Sequence, residues 1–369
     1  MCLATTSPGP DPASPTGRRR RVNLVADTYE YVIGVDTHAK THTYAVVAAT
    51  TGVLIDTETF PTTAAGMARA ITWIGRRAAG ERLAAVEGTS SYGATLTRAL
   101  TAAGIPVCEV KPPGRQSRDG HGKTDQIDAA AAARTALGTD VTALILPRAD
   151  GLRSALRVLL VARRGMDTQR TADRNALTAL LRTIDLGLDV RTALTNAQID
   201  TIAAWRDRTG DDVDVDVARS EARRLATSIR HRTVELDANQ VALSTHVDEL
   251  APGIRDLSGV GPFTAAIILT AYSHRGRVRS EAAFAAMAGV SPIPASSGNT
   301  SRHRLNRHGD RQLNRAIHII ARSRMMTDAT TKAYIERRTN EGKTRREIHR
   351  CLKRFITRSI YRSLTTLIT

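Results

Sequence analysis

The stretch from Tyr31 to Phe60, YVIGVDTHAKTHTYAVVAATTGVLIDTETF, decides the fold. It contains three short runs, YVIGVD, THTYAVVAAT and GVLIDTETF, rich in β-branched and aromatic residues and separated by polar turns and Gly52. Such runs read as strands, and three in succession with short connections read as a meander. Downstream the period changes. GMARAITWIGRRAAG (66–80) has helical spacing, RLAAVEG (82–88) reads as a buried strand, YGATLTRALTAAG (92–104) as a second helix and IPVCEV (105–110) as another strand.

Three strands followed by alternating helix and strand is the element order of an α/β domain of ribonuclease-H-like type. In such a sheet the first and fourth strands are neighbours. Asp36 ends the first and Glu87 the fourth, so their carboxylates are expected to converge. After a Pro/Gly/Arg-rich loop, PPGRQSRDGHG, a helix is expected from about Lys123, and Asp125 and Asp128 in KTDQIDA are three apart on one face of it. Singly, each acid has an ordinary use: Asp36 as a turn cap, Glu87 as an edge residue, Asp125 as a helix N-cap with Asp128 at the third helical position. Together they are a constellation that would repel itself without cations. Hard divalent ions with oxygen ligands remove that repulsion, which points to Mg²⁺ or Mn²⁺. A pair of such ions roughly 3.5–4 Å apart activates a nucleophile and stabilises a leaving oxygen in phosphoryl transfer. His38 and His42 lie nearby and invite a transition-metal reading, against which the excess of carboxylates argues.

The 369 residues suit two domains plus a connection. We read 1–30, which carries Arg18 to Arg21 among Pro, Ser and Thr, as a disordered basic lead-in; 31–150 as the acidic α/β domain; 151–250 as a helical, coiled-coil-like connector; and 251–369 as a mostly α C-terminal domain with a basic tail. The connector has Leu, Ala and Arg at helical spacing, as in LRSALRVLLVARRGM, and is nearly free of Gly and Pro. Charge is segregated: Ala251 to Thr369 holds 22 Lys and Arg against 7 Asp and Glu, which accounts for +15 of the chain's +17. Solubility alone does not require that segregation, so a polyanion is the expected partner. In LSGVGPFTAAIILTAY, Gly259 and Gly261 form a turn before an apolar helix, resembling a helix-hairpin-helix whose amides reach a phosphate; an ordinary interhelical turn has the same pattern. Three scattered cysteines exclude a zinc ribbon or a disulfide framework, and no run of about 18 apolar residues is present. The expected location is the cytoplasm, in association with the nucleoid, with no membrane partner.

These motifs, in this order, resemble the DEDD transposases of bacterial insertion sequences, the insertion-sequence one-ten type, whose relatives include Piv-type invertases. The resemblance runs from about Tyr31 to Ala321 and is carried by GVDTHAKTHTYAVV, VEGTSSYG and KTDQIDA, then LSGVGPFTA, AGVSPIPASSG and RHGDRQLNRA. It implies a RuvC-like domain, a coiled-coil connection and a C-terminal domain supplying a nucleophilic serine. By position Asp36, Glu87, Asp125 and Asp128 match the acidic tetrad, and Ser297, before Gly298, matches the serine, with Ser296 the alternative one residue earlier. It also implies a structured guide RNA encoded by the element. With only 4 % aromatic residues, backbone contacts rather than base stacking are the expected mode of nucleic-acid binding.

A serine hydroxyl needs a base or a metal to act at neutral pH. The resemblance implies that Ser297 attacks a DNA phosphate held at the acidic tetrad, leaving a covalent protein–DNA link that conserves bond energy. The serine lies far along the chain from the acids, so the site is expected to be composite. Arg302, Arg304, Arg307 and Arg311 follow the serine and are candidates for clamping phosphate, their ordinary reading being a solvated basic face. Exchange of four strand ends leads us to expect a homodimer or homotetramer. Two rival readings remain at this level: a metal-dependent nuclease or junction resolvase using water, and a non-enzymatic DNA-binding protein.

Overall fold

The computed structural model describes residues 23–111, 124–294, 303–304, 306 and 309–368. The chain divides into two compact units, Met1–Pro147 and Arg148–Thr369.

The first unit begins with a short helix α1 (Val25–Thr28) and the meander β1 (Tyr31–Thr37), β2 (Thr41–Ala48) and β3 (Leu54–Pro61). Helix α2 (Ala64–Arg77), β4 (Arg82–Glu87), α3 (Ala94–Ala102), β5 (Val107–Val110) and α4 (Asp125–Leu137) follow. The five strands form one sheet in the order β3-β2-β1-β4-β5. β1 is antiparallel to β2 and parallel to β4, and β5 is parallel to β4. This mixed α/β architecture is consistent with the ribonuclease-H-like expectation.

Burial explains why the central strands are apolar in unbroken runs. Val32 to Asp36 are all buried, as expected for a strand covered on both faces. Ile33 and Val35 pack with Tyr44, Val46 and Val86 against Met67, Ile74, Leu96 and Leu100 of α2 and α3. On the opposite face Val32, Val47, Leu83 and Cys108 pack against Ala132, Ala133 and Ala136 of α4. Alternation along β1 therefore sends Gly34 and Asp36 to the α4 face. There the small side chains of Ala45, Ala129 and Ala130 form a cluster of their own, and α4 lies so close that a Cβ on Gly34 would fall 2.6 Å from the Ala133 amide nitrogen. The cap of α4 differs from the ordinary use considered for Asp125: Thr124 is the N-cap, its side chain accepting from the Ile127 amide, and Asp125 is the first helical residue.

The second unit opens with α5 (Leu152–Thr183), the short α6 (Asn196–Ala203) and α7 (Val213–Leu250). α5 and α7 run antiparallel: the Asn239 side chain donates to the Leu159 carbonyl, Arg163 to the Leu236 carbonyl, and Ser228 to Asp173. Leu177, Leu181, Ile199, Ile202, Leu225 and Ile229 close one end of this pair around α6. At the other end Leu156, Leu243 and Val247 join a larger core. That core is built around α8 (Pro262–Tyr272), with α9 (Glu281–Met287), the two-residue strands β6 (Ile293–Pro294) and β7 (His303–Arg304), α10 (Arg311–Thr327), α11 (Ala329–Asn340) and α12 (Arg345–Leu367). α8 is buried along nearly its whole length, which its uniformly apolar sequence requires. Among the described residues no helix is long and apolar enough to cross a membrane.

Candidate functional site

The end of β1 and the start of α4 bring three potential ligands together. Ligand atoms of Asp36, His38 and Asp125 all lie within 4.8 Å of one another. His38 Nε2 stands 3.0 Å from Asp36 Oδ2 and 3.6 Å from Asp125 Oδ1, so one imidazole faces two carboxylates. Asp36 is buried at 7 % exposure, whereas His38 and Asp125 are open to solvent. A buried carboxylate backed by rigid strand and a second on a first helical turn form a donor set rich in oxygen, which suits a hard divalent ion. The imidazole adds a nitrogen ligand that Mn²⁺ accepts more readily than Mg²⁺. The helix N-terminus beside Asp125 further favours negative charge there.

Glu87 stands at the end of β4, one residue beyond the last registered pair with β1, Val35 and Val86, which places it alongside Asp36. The Thr37 hydroxyl donates to the Glu87 carbonyl at 3.0 Å and ties the two strand ends together. Beyond Glu87 the chain turns at Gly88, whose φ of +61° is a left-handed conformation that glycine tolerates. Asp128 is half-buried in the first turn of α4, three residues after Asp125. Neither Glu87 nor Asp128 belongs to the three-residue group.

His38 was set aside on sequence grounds, yet it is the residue that links the two aspartates. The signal was present in the Asp-x-His spacing: in extended chain, positions two apart point to the same side. His42, set aside with it, lies elsewhere. It follows the parity of Tyr44 and Val46 and so belongs to the α2 and α3 face; burial holds its imidazole below the usual range, and its Nδ1 has no hydrogen-bond partner among the described residues.

In the second unit Gly259 has φ +75°, and a Cβ there would come within 3.0 Å of the Ile320 carbonyl, so glycine is what lets the turn lie against α10. Arg324 of α10 donates to the Ser258 carbonyl and fastens the same turn. Gly261 precedes α8, and its amide donates to Thr264 Oγ1 at 3.0 Å. Ser296, Ser297, Arg302 and Arg307 lie outside the described residues, as does the side chain of Arg304. The flanks of the serine-bearing stretch are described, and they are pinned together. Ile293 pairs with Arg304 and Pro294 with His303, the Asp310 amide donates to the Met287 carbonyl at 2.6 Å, and Gly309 packs directly on Gly289. Arg311 is exposed at the start of α10.

Comparison with known proteins gives two family matches and one relative. Residues 33–185 match a family described as transposase, of DEDD type. Residues 252–336 match the transposase IS116/IS110/IS902 family. A 120-residue stretch is 32 % identical to the insertion element IS110 uncharacterized 43.6 kDa protein of Streptomyces coelicolor, covering 32 % of this chain and 29 % of that protein. The match therefore spans under a third of the relative's length.

Proposed function

Because this chain belongs to the IS116/IS110/IS902 family of transposases, we propose that it cuts and rejoins DNA strands for the mobility of an insertion sequence, with a serine nucleophile and a metal-binding acidic site. The observation that carries the reading is the convergence of Asp36, His38 and Asp125, with Glu87 alongside at the neighbouring strand end. Oxygen ligands gathered from the ends of two adjacent strands and a following helix suit a hard divalent cation.

Asp36, Glu87, Asp125 and Asp128 would hold divalent ions, Mg²⁺ or Mn²⁺, with His38 as an additional ligand. When bound, such ions neutralise charge on a phosphate and stabilise a leaving oxygen. Ser297, or Ser296 beside it, supplies the nucleophile: its Oγ forms a bond to phosphorus, the P–O bond to one strand end breaks, and that strand leaves as a hydroxyl, taking up from solvent a proton equivalent to the one the serine gives up. The resulting phosphoserine link retains the energy of the broken bond, so rejoining by the reverse attack needs no nucleotide triphosphate. Arg302, Arg304, Arg307 and Arg311 follow the serine and would oppose phosphate charge during this step. Site choice by a structured RNA of the element agrees with the concentration of +15 in residues 251–369 and the few aromatic residues. Gly259 would add a backbone contact to phosphate at its turn, and Gly261, whose amide is held by Thr264 Oγ1, would do so only if that bond opened. Exchange of four strand ends calls for a dimer or a tetramer, with the residues 151–250 helices as a coiled-coil spacer.

The test is to incubate the full chain with Mg²⁺ and labelled DNA carrying the element's junction, with and without the element's non-coding RNA. A denaturant-resistant protein–DNA band is expected, lost in Ser297→Ala and in Asp36→Ala. Recombination that survives both Ser297→Ala and Ser296→Ala would overturn the serine mechanism. Cleavage with no covalent band would favour a nuclease using water, for which the acidic site of the first unit suffices.

A further inference from the structure

The second unit contains a cavity of about 1160 Å³, walled by α10, α11, α12 and the Gly289–Pro292 segment that leads towards the serine motif. Seven Lys and Arg residues line it against a single acid, Glu347. That acid is committed locally: its carboxylate accepts from the amide and hydroxyl of Thr344 and caps α12. Arg354 and Arg358 are engaged with Glu281, and Arg338 with Glu341. Arg311, Lys343, Arg350 and Lys353 form no salt bridge among the described residues; Lys343 and Arg350 share the field of Glu347, and the wall as a whole keeps a positive excess.

Lys353 is the one set into the floor. Its Nζ donates to Asn314 Oδ1 at 2.8 Å, and Asn314 Nδ2 in turn donates to the Ala288 carbonyl at 2.7 Å, at the start of the serine-bearing segment. Burial lowers the Lys353 pKa, which marks an ammonium that water does not fully satisfy.

Phe355 lines the same cavity and is 51 % exposed. Its ring is steadied edge-on by Tyr334, centroids 5.9 Å apart at 85°, and Arg337 covers the Tyr334 ring in turn. A solvent-facing aromatic amid an excess of cations is the combination that binds single-stranded nucleic acid, because every base offers a π-face and every linkage a charge. A duplex keeps its base faces stacked internally and offers none to Phe355.

We propose that this cavity seats an unpaired stretch of nucleic acid, one base stacked on Phe355 and its flanking phosphates gripped by Lys353, Arg350, Lys343 and Arg311. The inference rests on the recombinase reading above. It adds that a strand end is held a short chain distance from the serine motif, independently of the acidic site.

Full-length protein titrated into fluorescein-labelled ten-residue oligo-dT, oligo-U and a ten-base-pair duplex, followed by anisotropy across a salt series, tests this. Phe355→Ala is expected to weaken single-strand binding roughly 5- to 150-fold and to leave duplex binding unchanged. Phe355→Tyr should retain it, which separates loss of stacking from loss of folding. Lys353→Gln should reduce the slope of log K against log salt for single strands by about 0.7. Comparison of dT with U shows whether DNA or RNA is the better occupant. Equal losses for single strand and duplex, or unaltered single-strand affinity in Phe355→Ala, would overturn the proposal. If that unaltered affinity accompanies a normal covalent adduct, the cavity assignment fails and the recombinase reading stands. If wild-type protein forms no adduct but Phe355→Ala loses single-strand binding selectively, the reverse holds.

Discussion

Gly34→Ala puts the relation between fold and candidate site under direct strain. The new Cβ would collide with the Ala129 carbonyl oxygen and lie 2.6 Å from the Ala133 amide nitrogen, against ordinary contact from 3.4 Å, so α4 must retreat from β1 by well over the 0.8 Å that the Ala133 contact alone requires. The obstructing atoms are backbone, and no rotamer change relieves the clash. Overpacking of this kind costs about 1–3 kcal/mol, or a fall in Tm of roughly 4–10 °C for a unit of this size. The helix that retreats is the one that starts with Asp125, whose carboxylate stands 3.6 Å from His38. Metal sites tolerate about 0.2 Å of ligand displacement, so the affinity for Mn²⁺ or Mg²⁺ is expected to drop about 10- to 100-fold. Calorimetric melting and metal titration measure both quantities on the same protein. Gly75→Ala is the control: nothing lies within 4 Å of its added Cβ, and replacing an interior helical glycine of α2 should raise stability by about 0.5–1 kcal/mol. A Gly34→Ala protein that melts within a degree of wild type and binds metal equally well would refute the backbone contact between α4 and β1.

Two further outcomes follow from the second unit. Gly309→Ala places a Cβ 2.6 Å from Gly289 Cα and prises apart the flanks of the serine-bearing stretch, so adduct yield should fall about 100-fold, measured on denaturing gels. Burial, with the charges of Lys353 and Arg322 and the His318 ring beside it, lowers the His349 pKa, so the unfolded chain binds its proton first as pH falls. The stability contributed by neutral His349 is therefore complete above about pH 6.5 and is lost below it, and His349→Gln should flatten the decline of Tm between about pH 6.5 and 5. An identical decline in the variant would remove His349 from the explanation.

The sheet was legible because its information is local. Apolar runs at Tyr31–Asp36, Thr41–Ala48 and Arg82–Glu87 declare strands through composition and alternation, and two strand-end acids became neighbours once the order placed β1 beside β4. The part of the site that escaped notice depends on something else. His38 sits past the strand's apolar run in a stretch that reads as a turn, and only the antiparallel return of β2 keeps the chain extended enough to hold it on the Asp36 side. Thr124, the actual cap of α4, was obscured by an aspartate at the next position that is as good a capping residue. Phe355 was invisible for the opposite reason: on α12 it interrupts a basic face, and a lone exposed aromatic means nothing until α10 and the chain after α11 bring Arg311 and Lys343 to the cations of its own helix.

The unequal distribution of charge has a mechanistic consequence. A phosphodiester approaching Asp36, Glu87, Asp125 and Asp128 meets like charge, and residues 1–250 as a whole carry only +2 with which to draw it in. Two devices can overcome that repulsion, and they differ in range. A divalent ion held by Asp36, Glu87, Asp125 and Asp128 would neutralise phosphate charge at the acidic site itself. The +15 of residues 251–369 would act over about a Debye length, roughly 8 Å at physiological salt, and would concentrate a polyanion on the second unit. On the function proposed above, recruitment and chemistry would come under separate control: salt would weaken the first far more than the second, while chelation would remove the second and spare the first. A single mixed-charge surface could not separate them, because cations dense enough to recruit the strand would pair with the very carboxylates the ion needs.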